Sequence, residues 1–159
     1  MRPIIHRSWP LIVAIVFAQL TQPVRAAAAD DACAILTPAQ VGAAVGVAVG
    51  DGTYVTPTFK KTCTWTVGDS ASGIRFVTLN LQGLDQFAAG KQVGSVNSVG
   101  VTPVSGIGDD AYYLGVGSTE GLIVKKGQRA FKIAVYSTLP LEKKRAMEKA
   151  LAQQVLAKL

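Results

Sequence analysis

The segment Val104-Ser105-Gly106-Ile107-Gly108-Asp109-Asp110-Ala111-Tyr112-Tyr113 gathers two glycines, two carboxylates and two phenols within ten positions. Two readings fit it. In the functional one, Gly106, Gly108, Asp109, Asp110, Tyr112 and Tyr113 form the polar rim of a binding loop, or a weak calcium site. In the structural one, the glycines permit a tight bend, an aspartate hydrogen-bonds the loop backbone, and the tyrosines pack on a sheet. The segment is not a dinucleotide fingerprint, because it lacks the third glycine and a following helix. On a strand, Asp109 and Asp110 would point to opposite faces, which places them poorly as a carboxylate pair flanking one bond.

The remaining catalytic inventory is thin. His6 is the only histidine and lies in the first few residues. A chain that loses this segment has no Ser-His-Asp or Cys-His nucleophile, no HExxH zinc site and no imidazole base. A histidine-free enzyme would need a carboxylate pair or a Ser-Lys pair. No catalytic residue, metal ligand or cofactor is assigned on the sequence.

Residues 1–29 read as a secretory signal peptide. Arg2, His6 and Arg7 form a basic front, Leu11 to Ala18 an unbroken apolar run, and Ala26 to Ala29 a small-residue cluster. Cleavage after Ala26, Ala28 or Ala29 satisfies the small-x-small pattern. The apolar run falls short of the roughly 20 residues that span a bilayer, so no transmembrane span is expected after processing. Asp30 and Asp31 before Cys33 argue against lipidation of that cysteine. The expected product, residues 30–159, is a single domain in the periplasm or secreted. The chain has 16 basic and 10 acidic residues; removing Arg2, Arg7 and Arg25 leaves 13 against 10. So mild an excess gives little reason to expect a nucleic-acid partner, which needs clustered charge.

Cys33 and Cys63 are the only cysteines, and in an oxidising compartment an even count reads as a disulfide. A bridge of that span removes about 3.7 kcal/mol of unfolded-state entropy in the chain-entropy description.

The elements that would position these residues are an α+β set. Thr37-Pro38-Ala39-Gln40 carries an N-cap, a proline at the first helical position and a capping box, with Leu36 and Val41 as a staple and Gly46 as the stop. Thr62-Cys63-Thr64-Trp65-Thr66-Val67 alternates, placing Cys63, Trp65 and Val67 on one side. Trp65 is therefore expected in the core. Ile74 to Leu81 is a second strand, apolar on both parities at Phe76-Val77, which suggests a bulge or two-sided burial. Asp85 to Val93 reads as a short helix interrupted by Gly90, and Ala111 to Leu114 as a short strand. Leu122–Lys125 and Ala130–Tyr136 flank a hairpin turn at Gly127, and Asp51-Gly52 carries a second hairpin signal. Pro140 to Lys158 is a helix with Met147, Ala150, Leu151 and Val155 in its apolar stripe and charge elsewhere. An antiparallel sheet packed by a short N-terminal and a long C-terminal helix follows.

The order of motifs resembles a group of small exported bacterial domains of unknown function, the DUF3558-like lipoproteins. The resemblance rests on Cys33-Ala34-Ile35-Leu36-Thr37-Pro38-Ala39-Gln40-Val41, on Cys63-Thr64-Trp65, on Gly106-Ile107-Gly108-Asp109-Asp110-Ala111-Tyr112 and on Lys126-Gly127. It implies a disulfide between the opening helix and the sheet, and an α+β sandwich. It carries no catalytic residues.

The expected function is that of a non-enzymatic envelope or secreted protein binding a protein partner or small ligand, through its sheet or the Gly106–Tyr113 loop. A periplasmic inhibitor or immunity-type protein acting on a hydrolase is the alternative, and a histidine-free hydrolase a third. Lys60, Lys61, Lys125, Lys126, Arg129 and Lys132 would favour an anionic partner if their strands are neighbours, and otherwise form a solvated face.

Overall fold

A computed structural model describes residues 30–96 and 99–159; the expected signal peptide, residues 1–29, lies outside them. Among the described residues seven strands form one antiparallel sheet: β1 (Thr53–Tyr54), β2 (Thr62–Thr66), β3 (Ile74–Gln82), β4 (Val101–Val104), β5 (Asp110–Leu114), β6 (Gly121–Lys126) and β7 (Arg129–Ser137). Their spatial order is β1-β2-β3-β7-β6-β5-β4. The helices are α1 (Ala32–Ile35), α2 (Pro38–Val45), α3 (Leu84–Val96) and α4 (Leu141–Leu156). The expected α+β architecture is the one observed, and no described helix is long and apolar enough to cross a membrane.

Strand alternation divides the sheet into two faces. On the front, Cys63 and Trp65 of β2, Val77 and Leu79 of β3, and Phe131, Ile133 and Val135 of β7 are buried with Leu151 and Val155 of α4. Ala32, Ile35, Val41 and Val45 of α1 and α2 join the same core. Trp65 is fully buried, as its parity with Cys63 and Val67 requires. On the back, Phe87 of α3 packs with Tyr112, Ile123 and Ala130.

The α2 start is built as its sequence dictates. Thr37 Oγ1 accepts from the Gln40 N–H at 3.2 Å and Gln40 Oε1 accepts from the Thr37 N–H at 3.0 Å, closing the capping box. Gly46 ends the helix at φ 78°, a conformation glycine adopts without steric cost. Cys33 and Cys63 are bridged across a Cα separation of 5.0 Å, tying α1 to β2. The β3–β7 register shifts between Ile74 and Phe76, just before the Phe76-Val77 pair where a bulge or two-sided burial was expected; there Val77 is fully buried and Phe76 half-buried.

Four expectations are corrected. Asp51-Gly52 is not a hairpin turn: it lies in the extended run between the Val49–Val67 bridge and β1. Gly52 is required there by close approach, since a Cβ would lie 2.6 Å from Cys63 Sγ and 2.9 Å from Trp65 Nε1. The middle helix is not interrupted at Gly90 and runs from Leu84 to Val96; the missing side chain leaves room for the Tyr112 ring, whose Cζ would lie 3.4 Å from a Cβ. The last helix begins at Leu141, with Pro140 as its cap residue, and ends at Leu156. Its buried side is Lys144, Glu148, Leu151, Ala152 and Val155, so charge enters the stripe, while Met147 and Ala150 are only half-buried.

Candidate functional site

The Gly106–Tyr113 segment is tied into the fold at nearly every polar group. Gly106 and Gly108 take positive φ, 77° and 61°, turning the chain from β4 into β5. Asp109 Oδ2 accepts from the Gly127 N–H at 2.6 Å, and Lys126 Nζ lies 3.3 Å from Oδ1. Those two contacts brace the β6–β7 turn. The Gly127 hydrogen bond and then Lys126 hold the Asp109 carboxyl below its usual range, against a small opposing effect of burial. Asp110 pairs with Lys91 of α3 at 2.5 Å. Tyr112 points to the back face and donates to the Phe87 carbonyl at 2.6 Å; Tyr113 points to the front and donates to the Arg145 carbonyl at 3.1 Å. Burial pushes the Tyr112 phenol up to about 12. The six residues are thus distributed over the turn and both faces of the sheet.

A second cluster escaped sequence reading. Glu148 and Lys144, one helical turn apart on α4, are 0% and 1% exposed, with Lys144 Nζ 3.6 Å from Glu148 Oε1. Lys144 Nζ also donates to the Glu120 carbonyl. The Glu120 carboxylate takes a two-pronged grip from Arg145, at 2.7 Å and 2.8 Å. Arg145 lies over the Tyr113 ring, 4.6 Å from its centroid. Burial drives the Glu148 carboxyl up to about 7, opposed by the Val135 N–H and Lys144. The available signal was the spacing 144, 148, 151, 155, which continues the apolar stripe through two charges. Beside this cluster Ser137, Leu139, Leu141 and Lys144 line a cavity of about 180 Å³. Ser137 Oγ is buried there without a hydrogen-bond partner among the described residues, so Ser137 and Lys144 share a wall without forming a hydrogen-bonded pair.

Of the six basic residues, Lys125, Lys126 and Arg129 gather at the β6–β7 hairpin, where Lys126 faces Arg129 and Lys125 faces Ala130. Lys60 pairs with Asp31 and Lys126 with Asp109; Lys61 and Arg129 share a small cleft with Leu159. Lys132 stands on the back of the sheet, beside Asn80 of β3. Among the described residues no group of three His, Cys, Asp or Glu side chains is placed to hold a metal ion.

The back face offers a surface of a different kind. Helix α3 packs against β4, β5, β6 and β7. Over β2, β3 and the distal part of β7, three cross-strand rows stand side by side: Thr62–Asn80–Lys132, Thr64–Thr78–Ala134 and Thr66–Phe76–Tyr136. All except Ala134 retain solvent-accessible surface. Asn80 Nδ2 donates to Thr62 Oγ1 at 2.6 Å, and Phe76 and Tyr136 stack with centroids 4.3 Å apart. Polar and aromatic side chains here are ordered by the ladder beneath them, not by a flexible loop.

No family model matches the chain, and neither the curated proteins nor the solved structures contain a match to it.

Proposed function

We propose that this chain is a non-enzymatic, exported envelope or secreted domain that binds a ligand or protein partner, and that the open part of the back sheet face is its recognition surface. One observation carries the reading: three ordered rows of threonine, asparagine, lysine and aromatic side chains remain accessible beyond the part of the face against which α3 packs. A solvated antiparallel face is ordinary, but a stacked aromatic pair and a half-buried lysine upon it are groups that recognition uses. The resemblance to small exported domains agrees with this reading, as does a disulfide, which persists in oxidising compartments. The test is native mass spectrometry of the mature protein recovered unreduced from its own envelope fraction. A reproducible adduct that Thr78→Trp abolishes is expected; an adduct that survives Thr78→Trp would move recognition away from this face.

A second reading, an inhibitor that inserts a loop into a cleft, is favoured by the β1–β2 connection. Val55 is 67% and Phe59 47% exposed there. The base of the loop is clasped: Tyr54 Oη donates to Asp31 at 2.8 Å, and the Ala32 N–H donates to the Lys60 carbonyl at 2.9 Å. Co-purification with an enzyme, abolished by Phe59→Asp and not by Thr78→Trp, would select this reading.

A further inference from the structure

Lys132 is the one cation among the nine residues of the three rows, which contain no carboxylate. Its Cε lies above the bare backbone of Gly121 on β6, where a Cβ would come within 2.6 Å of it. The ammonium makes no hydrogen bond or ion pair within the described residues; the charged groups that act on it, Glu148 and Lys144, belong to α4 on the opposite face. Burial holds the Lys132 ammonium below its usual range, Glu148 opposes that and Lys144 adds to it. A half-buried cation in this condition gains from an anion delivered by a ligand.

The rest of the surface narrows the ligand. Successive rows lie about 6.8 Å apart along the strands, and neither cavity described above is lined by their residues, whereas small ligands are usually held in concave pockets that bury most of their area. An open strand face suits an extended polymer crossing several rows. Its middle row is Thr64–Thr78–Ala134, small and hydroxylated, without the apolar centre that protein interfaces use. Lys132, with the Arg75 guanidinium 5.8 Å from the Phe76 ring centroid, is too little positive charge for a nucleic-acid backbone. Hydroxyls and an amide match the hydroxyls of sugars, and the Phe76–Tyr136 wall offers a surface for the C–H side of a sugar ring.

We infer that the open sheet face binds a carboxylate-bearing glycan, with Lys132 receiving the carboxylate, Thr64, Thr78 and Asn80 bonding the hydroxyls, and Phe76 and Tyr136 flanking a ring. This deepens the binding reading above and rests on it. Gly121 belongs to the site because it leaves space for the Lys132 side chain.

The experiment is calorimetric titration of the disulfide-intact protein with polygalacturonate, with dextran as the neutral polymer and dextran sulfate as the generic polyanion. Polygalacturonate binds and neither control does. Lys132→Met weakens binding about tenfold or more, as expected for a lost charge-assisted hydrogen bond, while Lys132→Arg retains most of it and Gly121→Ala, which displaces the lysine, reproduces the loss. Circular dichroism and thermal melts verify that each variant is folded. No binding of polygalacturonate, equal binding of dextran or dextran sulfate, or a folded Lys132→Met that binds like the parent overturns the assignment. If polygalacturonate fails while a native adduct is still abolished by Thr78→Trp, the glycan assignment falls and the binding face stands; if the adduct survives Thr78→Trp, the face itself falls.

Discussion

Glu148 Oε1 accepts a hydrogen bond from the Val135 backbone N–H at 2.9 Å. A helix carboxylate thereby reaches into the strand ladder of β7 from a fully buried position. Its other oxygen, Oε2, has no hydrogen-bond partner among the described residues. A group so placed is costly to keep charged, which is why burial is the largest cause of its raised pKa.

That relationship sets a pH dependence. The Glu148 carboxyl is raised from 4.5 to about 7, so the folded state holds this proton more tightly than the unfolded chain. Its contribution to stability is fully present below about pH 4.5 and is lost as pH rises through about 7. Urea midpoints measured across that window should therefore fall with rising pH, and Glu148→Gln should flatten the slope. A slope unchanged in Glu148→Gln would show that another group is responsible.

The buried Lys144–Glu148 pair should be non-additive. Glu148→Ala leaves the Lys144 ammonium buried beside the Glu120 carbonyl, at an expected cost of about 3–5 kcal/mol. The double variant Lys144→Met/Glu148→Leu removes both charges and should recover most of that loss. Equilibrium unfolding of the single and double variants measures the coupling, and simple additivity would count against a paired role.

Reduction of Cys33–Cys63 should lower stability by about 3.7 kcal/mol or somewhat less in the chain-entropy description. The bridge joins α1 to β2, so hydrogen exchange should rise first in Ala32–Ile35 and along β2. Calorimetry with and without reductant gives the magnitude. A melting temperature indifferent to reductant would mean that core packing alone holds the two elements together.

Gly52→Ala should destabilise the fold by about 1–3 kcal/mol, the usual cost of overpacking. The new Cβ would meet Cys63 Sγ and the Trp65 indole, neither of which has room to retreat because both are fully buried. Trp65 fluorescence should shift with the variant. Gly46→Ala, where a Cβ meets nothing within 4 Å, is the control that separates a clash from backbone strain at positive φ.

Local chemistry made part of this molecule legible. Thr37, Pro38, Gln40 and Gly46 define a helix through hydrogen bonds and dihedral preferences spanning only a few residues. The alternation Cys63-Trp65-Val67 assigns a face because the pleat has period two, and Lys126-Gly127 marks a turn that needs positive φ, observed as 55°. Burial of Lys144 and Glu148 was legible only as a spacing that continues the apolar stripe: in an isolated helix both side chains would be solvated, and only the sheet under α4 makes them a desolvated pair. Gly52 misled because close approach to Trp65 and hairpin turning favour the same residue.

The sequence by itself therefore determined the α+β composition, the cystine residues and the polarity of individual strands, because these depend on contacts within a turn or a pleat. Tertiary structure alone decided that β3 pairs with β7, although α3, β4, β5 and β6 intervene in the chain, and so set Asn80 beside Lys132 and Phe76 beside Tyr136. It also decided that α3 packs on one part of the back face and leaves Thr64 and Thr78 accessible. Those outcomes turn on which apolar surfaces find one another over long chain separations, a competition that no local pattern encodes.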